Sequence, residues 1–254
     1  MRDRCLYKYF SERKWAEAFL RGEVLFRSLS YFRDYEDKNV REDQNEGTAI
    51  FRPEGGLVVN NITQGTTFTL PGHALESSAN REEIFVFCVS RSLTDELRER
   101  FKAVVCIEIL TVGTFCDRIE AALARAATFP GRPGHTRIGH RVEYYQETEA
   151  GNPRWSLPDR IATSKLDSYA WQDEFRLAFS VTDALGFGKV AERVTPSSDR
   201  TPPNPSEHHC YPVTLPCDGW QPARHLPTSR TLTGWSDRTV NASRARSPWK
   251  AVLR

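Results

Sequence analysis

The sequence predicts an α+β fold, and three observations carry that expectation. Short apolar or alternating runs bounded by turn residues recur along the chain: LYKYF, VLFRSL, EIFVFCVS, AVVCIEIL, RVEYYQ and EFRLAF. Between them lie a few short stretches with helical periodicity. From residue 195 the character changes to a proline-rich, basic segment with no lasting period.

Taken in order, Leu6 to Phe10 reads as a first strand. Ser11 is placed to cap a helix over ERKWAEAFLR, with Trp15, Phe19 and Leu20 on one face. Gly22 supplies the stop, and Val24 to Leu29 reads as a second strand. Tyr31 to Gly47 is charged and lacks an apolar period, so it is expected to be a loop, either solvated or facing a substrate. Residues 48 to 70 suggest short strands or a hairpin, TAIFR, GLVVNNI and TTFTL, broken at Pro71-Gly72. Glu83 to Ser90 is the most apolar run and should be a central strand covered on both faces. Leu93 to Phe101 reads as a helix, Ala103 to Leu110 as a strand, and Val112 to Ala127 as a helix with Phe115, Ile119 and Leu123 on one side. Arg141 to Gln146 is expected to be a strand, and Asn152 to Lys165 irregular. SKLDSYAW then leads into the strand EFRLAF, and Phe187 to Val194 closes the domain.

The boundaries expected are a domain over 1–194 and an irregular or disordered tail over 195–254. Nine of the 15 prolines fall in that tail, and its eight Lys and Arg outnumber four acids. The net charge of +2 is too small to argue for nucleic acid by itself. With 39% hydrophobic residues over 254 positions, one large domain or two small ones can be packed. No apolar window reaches membrane-spanning length and the N-terminus lacks a secretory apolar region, so a cytoplasmic protein with no membrane partner is expected. The six cysteines include no CxxC pair. His208, His209, Cys210 and Cys217 fit no standard zinc spacing, so no metal is expected. P-loop, GxSxG and HExxH motifs are absent.

Chemistry concentrates at Gln172 and Glu174, two residues apart at the head of a strand. On a strand such residues share a face, so an amide and a carboxylate would project together, with Trp171 beside them. A carboxylate so placed can bind sugar hydroxyls or stabilise a developing cation. Equally, Glu174 and Arg176 fit an ordinary surface charge pair of little energetic weight.

Strand, helix, strand, Ser28-Leu29-Ser30-Tyr31, a charged loop with Arg41, and then Gln172-Asp173-Glu174 together resemble the ADP-ribosyltransferase superfamily, in particular the DarT-like nucleic-acid ADP-ribosyltransferases. The opening segment and the WxxExR strand also look like a bacterial family of unknown function. The transferase resemblance covers roughly residues 6 to 194. It implies a split β-sandwich gripping NAD as substrate between two sheets. It assigns Glu174 the stabilisation of the oxocarbenium ion and Gln172 the positioning of the acceptor. Ser28 and Ser30 would match the motif near the nicotinamide ribose, Tyr31 would stack on nicotinamide, and the loop with Arg41 would lie over NAD. Where the superfamily has Arg or His on the first core strand, this chain has Tyr7-Lys8-Tyr9, which places Tyr7 and Tyr9 at the substrate. A toxin or phage-defence effector modifying nucleic acid or protein is the role implied. On that reading Glu174→Gln would abolish transfer with little loss of stability.

Two other readings stand beside it. One is a non-enzymatic nucleic-acid or protein binding module using the charged loop and the basic tail. The other is a nuclease holding Mg²⁺ with Asp34, Glu36, Asp43 and Glu46.

Overall fold

A computed structural model describes residues 5–33, 43–130, 137–149, 153–198 and 207–216. In chain order the elements begin with β1 (Leu6–Phe10), α1 (Arg13–Leu20), β2 (Glu23–Ser28), α2 (Leu29–Arg33), β3 (Thr48–Phe51), β4 (Leu57–Asn61) and β5 (Thr66–Leu70). They continue with β6 (His73–Ala79), β7 (Ile84–Ser90), α3 (Asp95–Arg100), β8 (Val105–Ile109), α4 (Val112–Ala122), β9 (Gly139–Arg141) and β10 (Glu143–Tyr145). The last are α5 (Pro158–Ala162), β11 (Ser164–Leu166), β12 (Glu174–Ser180), β13 (Val190–Pro196) and β14 (Cys210–Thr214). Short helices and mostly antiparallel sheets make this an α+β structure, as expected. The chain divides into two units, one of Met1–Val24, Val89–Ala122 and Pro212–Arg254, the other of Leu25–Cys88 and Leu123–Tyr211.

In the first unit β1 lies antiparallel to β8 over its whole length, from Leu6 opposite Ile109 to Phe10 opposite Val105. Phe19 of α1 meets Phe10 and Phe115 with ring centroids 5.8 and 6.0 Å away, and Ile119 joins them in the core. Trp15 departs from the expected face. It is 50% exposed, its indole donates to Glu12, and Lys14 lies over the ring. Glu12, not Ser11, takes the cap position, without a side-chain cap bond. Gly22 ends the turn at φ +91, where a side chain would be strained. Thr94 caps α3 by accepting the Leu97 N–H at 3.1 Å.

The second unit is built around β7, whose first five residues belong to it. β7 pairs with β2 on one side, Ser28 opposite Phe85, and with β12, which in turn pairs with β9. One face of this layer carries Ile84, Val86 and Ala178, packed with Leu29, Ala49, Tyr145, Trp155 and Ile161. The other carries Phe26, Phe85, Phe87 and Phe179, with Tyr211 of β14 against Phe85 and Phe179. Burying each of these large side chains contributes about 1.5–3 kcal/mol, which offsets the ordering of the strands. A further sheet runs β13-β6-β3, and β4-β5 forms a hairpin.

Two expectations need correction, and one strand, β6, was not expected. Residues 153 to 166 are not irregular: they form a 3₁₀ turn, α5 and β11, and β11 pairs in parallel with β10. Pro71-Gly72 is a break, as expected, and the turn there leads into β6, a strand so polar in sequence (HALESSA) that it shows no apolar alternation. The line at 194/195 cuts β13, which pairs with β6 as far as Pro196 opposite His73, and β14 places a regular strand inside the expected irregular tail.

Candidate functional site

Gln172 and Glu174 do converge, though not by strand periodicity. Gln172 ends a 3₁₀ turn spanning Asp167–Gln172, and Asp173 follows in the left-handed region at φ 41. Aspartate tolerates that conformation better than most residues. The reversal turns both flanking side chains inward, where each is 5% exposed. Lys165 of β11 joins them: its Nζ donates to Gln172 Oε1 at 2.8 Å and lies 2.8 Å from Glu174 Oε2.

Arg176 is the centre of the cluster and is wholly buried. Two of its nitrogens donate to the two oxygens of Glu46 at 2.6 and 2.7 Å, its Nε donates to Glu174 Oε1 at 2.8 Å, and the Ala162 carbonyl accepts at 2.6 Å. Glu46 arrives from the end of the charged loop. The following Gly47 has φ +72, and a Cβ there would fall 2.4 Å from Arg81 Cγ, so only glycine lets the chain turn into β3 at this point. Asp43, 2% exposed, completes the group.

The Glu174–Arg176 pair is therefore no surface pair. Arg176 gives Glu46 a bidentate contact and serves Glu174 with its third side, the geometry that suits a guanidinium. Burial alone would raise the Glu174 carboxyl. Arg176 and Lys165, with a hydrogen bond from Cys88, outweigh it and hold the carboxyl well below the usual carboxylate range. Lys165 is raised in turn, with burial opposed chiefly by Glu174. Tyr144, whose hydroxyl accepts the Glu174 N–H at 2.8 Å, is pushed up to about 12 by burial and by the Glu174 charge. One oxygen stands out. Glu174 Oε2 is buried and receives no aligned hydrogen bond, since Lys165 lies close enough for ion pairing but off the bonding direction.

The serine motif is held elsewhere. Ser28 and Ser30 are wholly buried, their hydroxyls 2.7 Å apart. Ser30 Oγ donates to the Glu207 carbonyl at 2.8 Å, and Ser28 Oγ accepts the His209 N–H at 3.1 Å. The segment leading into β14 thus covers both. Side-chain parity separates this pair from Glu174. Ser28 pairs with Phe85 and so shares its face, whereas Glu174 contacts Cys88, three residues along β7 and on the opposite face. Phe179, which meets Phe85, is five residues from Glu174 on β12 and gives the same answer. The structure does not bring Ser28 and Ser30 together with Glu174 and Gln172.

Tyr31 is half-buried, with the Arg27 guanidinium 4.5 Å from its ring centre and His208 at its edge. Tyr7 and Tyr9 belong to the first unit. Tyr7 donates to Glu108 at 3.2 Å, and Tyr9, buried, donates to the Ser92 carbonyl at 3.0 Å. Arg41, Asp34 and Glu36 lie outside the described residues. Asp43 and Glu46, the other two acids of the nuclease reading, are drawn into the buried cluster, and no group of three or more metal-ligating side chains occurs among the described residues.

Comparison with protein-family models, curated proteins and solved structures yielded no match. The site rests on its own geometry. Sequence reasoning missed Lys165, which sits in a stretch read as irregular, and it named Glu46 as an acid of the nuclease reading and not as a partner of Arg176. The signal that could have found Lys165 was weak: it stands next to Leu166 in a three-residue strand. Among the described residues no helix is long and apolar enough to cross a membrane.

Proposed function

We propose that this chain is an NAD-consuming protein of ADP-ribosyltransferase type, with a split β-sandwich frame, whose reacting ribose meets Glu174. The observation that carries the reading is Glu174 Oε2, an ionised oxygen in a dry setting with no aligned donor. Lys165, 2.8 Å away, pairs with it by charge alone. Cleaving the nicotinamide–ribose bond sends the electron pair to nicotinamide and leaves a cationic sugar. A fixed carboxylate stabilises that cation strongly where water is excluded. Arg176 holds the other oxygen of Glu174, so the carboxylate need not reorganise. Lys165, on its flexible stem, is the member that turns aside to admit the sugar, and this frees Gln172 to position the acceptor. Nucleic acid or protein is the acceptor class and a toxin or phage-defence role the setting, both from the resemblance alone. The serine pair takes no part in this version of the site.

A second reading, a non-enzymatic nucleic-acid or protein binding module, is favoured by one observation. Ser28 and Ser30 are saturated by the backbone of residues 207 and 209.

The test is incubation of the full chain with labelled NAD, RNA, single-stranded DNA and cell lysate, beside Glu174→Gln checked for folding by circular dichroism. Label transfer by the wild type that is lost in the folded variant is the expected result. Absence of NAD consumption by the folded wild type removes the transferase reading. Salt-dependent nucleic-acid binding without consumption then establishes the module.

A further inference from the structure

The buried cluster contains three carboxylates and two cations. Arg176 contacts both oxygens of Glu46 and one of Glu174, and Lys165 takes the other oxygen of Glu174. Asp43 is left over. Its carboxylate accepts the Asn45 N–H at 3.0 Å, and among the described residues no lysine or arginine nitrogen lies within ion-pairing distance of it. The groups that act on it are these. Glu46, in the same turn, repels it; Lys165 of β11 and Arg176 of β12 attract it only from a distance. Tyr145 of β10 feels its charge, but that hydroxyl accepts the Ile50 N–H at 3.1 Å. From α2 the contact is the Phe32 carbonyl, which accepts the Asp43 N–H. With two cations matched by two carboxylates, a third ionised carboxylate would leave an uncompensated charge in a dry site, a state proteins avoid by protonation.

We propose that Asp43 is the protonated member of this cluster, and that loss of its proton as pH rises toward neutrality loosens the Asp43–Glu46 turn from Arg176 and Lys165. The turn is the right element to respond. The Glu46 N–H donates to the Asp43 carbonyl at 2.8 Å and the Thr48 N–H to the Asn45 carbonyl at 2.7 Å, so charge on Asp43 acts directly on the backbone that presents Glu46 and opens β3. Burial first, and Glu46 second, push the Asp43 carboxyl up from 3.8 to about 6. A carboxyl raised on folding stabilises the folded state fully below its ordinary value, and that contribution is lost as pH rises through about 6. The switch operates whether or not NAD is turned over.

The test is amide hydrogen exchange of the full chain between pH 5 and pH 8, corrected for the intrinsic pH dependence of exchange, in wild type and Asp43→Asn. Asparagine keeps the oxygen that accepts the Asn45 N–H and cannot ionise. Protection of the Glu46 and Thr48 amides is expected to fall about tenfold or more across this range in wild type and to stay level in the variant. Level protection in wild type, or an equal fall in the variant, overturns the proposal. Carboxyl-carbon NMR of wild type decides the matter even where the variant does not fold. A titration of Asp43 near pH 6 supports the proposal, and one in the ordinary aspartate range overturns it.

Discussion

Arg176 is the residue on which the second unit turns. It is wholly buried and donates to two carboxylates and a carbonyl. Removing one partner from such an arrangement leaves an unpaired buried charge, a loss of about 3–5 kcal/mol. Glu174→Gln is therefore expected to lower stability by an amount in that range, measured by urea unfolding. This reverses the expectation of a nearly neutral change, which assumed an exposed strand edge. Arg176→Lys keeps the charge but cannot serve both carboxylates with a planar fork. It is expected to cost about 1.5–3 kcal/mol in the same measurement, roughly one charged hydrogen bond. The sequence marked Gln172 and Glu174 through their spacing. It named Glu46 only among the acids of a metal-binding loop and gave no sign of its pairing, because tertiary structure alone brings it to an arginine 130 positions away.

Strands with apolar alternation were legible as elements. β1, β2, β7, β8 and β12 fall where the pattern placed them, because each buries at least one apolar face. β6, β11 and β14 were not legible. β6 carries serines, β11 is three residues long, and β14 contains Pro212 within a proline-rich segment, so backbone pairing decides them and not side-chain pattern. β14 is held at its start by Ser28 and by the ring of Tyr211, which lies 5.6 Å from Phe85 and 5.1 Å from Phe179. Tyr211→Ala is expected to speed amide exchange of Ser28 and His209 by about tenfold, the equivalent of roughly 1.4 kcal/mol, while leaving the Glu174 amide unchanged. Equal acceleration at all three sites would show that the ring stabilises the whole unit and not its edge.

For the molecule as a whole, the buried cluster gives the stability profile opposing slopes. Glu174 is depressed on folding, so its contribution is present above its ordinary value of 4.5 and is lost as pH falls. Asp43 is raised, and its contribution is lost as pH rises from 3.8 through about 6. Wild-type stability measured by urea is expected to fall away more steeply below pH 4.5 than that of Glu174→Gln, whose side chain does not titrate. An identical acid limb in the two proteins would remove Glu174 from the acid response.

The parity of β7 has a consequence best put as a thermodynamic cycle. Because the serine pair and the Glu174 cluster occupy opposite faces of one layer and share no partner, Ser28→Ala and Glu174→Gln should act as independent perturbations. Their stability changes should sum in the double variant to within about 0.3–0.5 kcal/mol. A coupling energy above that bound would mean that strain passes through the strand itself, making β7 a mechanical link between two chemistries that its alternating side chains otherwise keep apart.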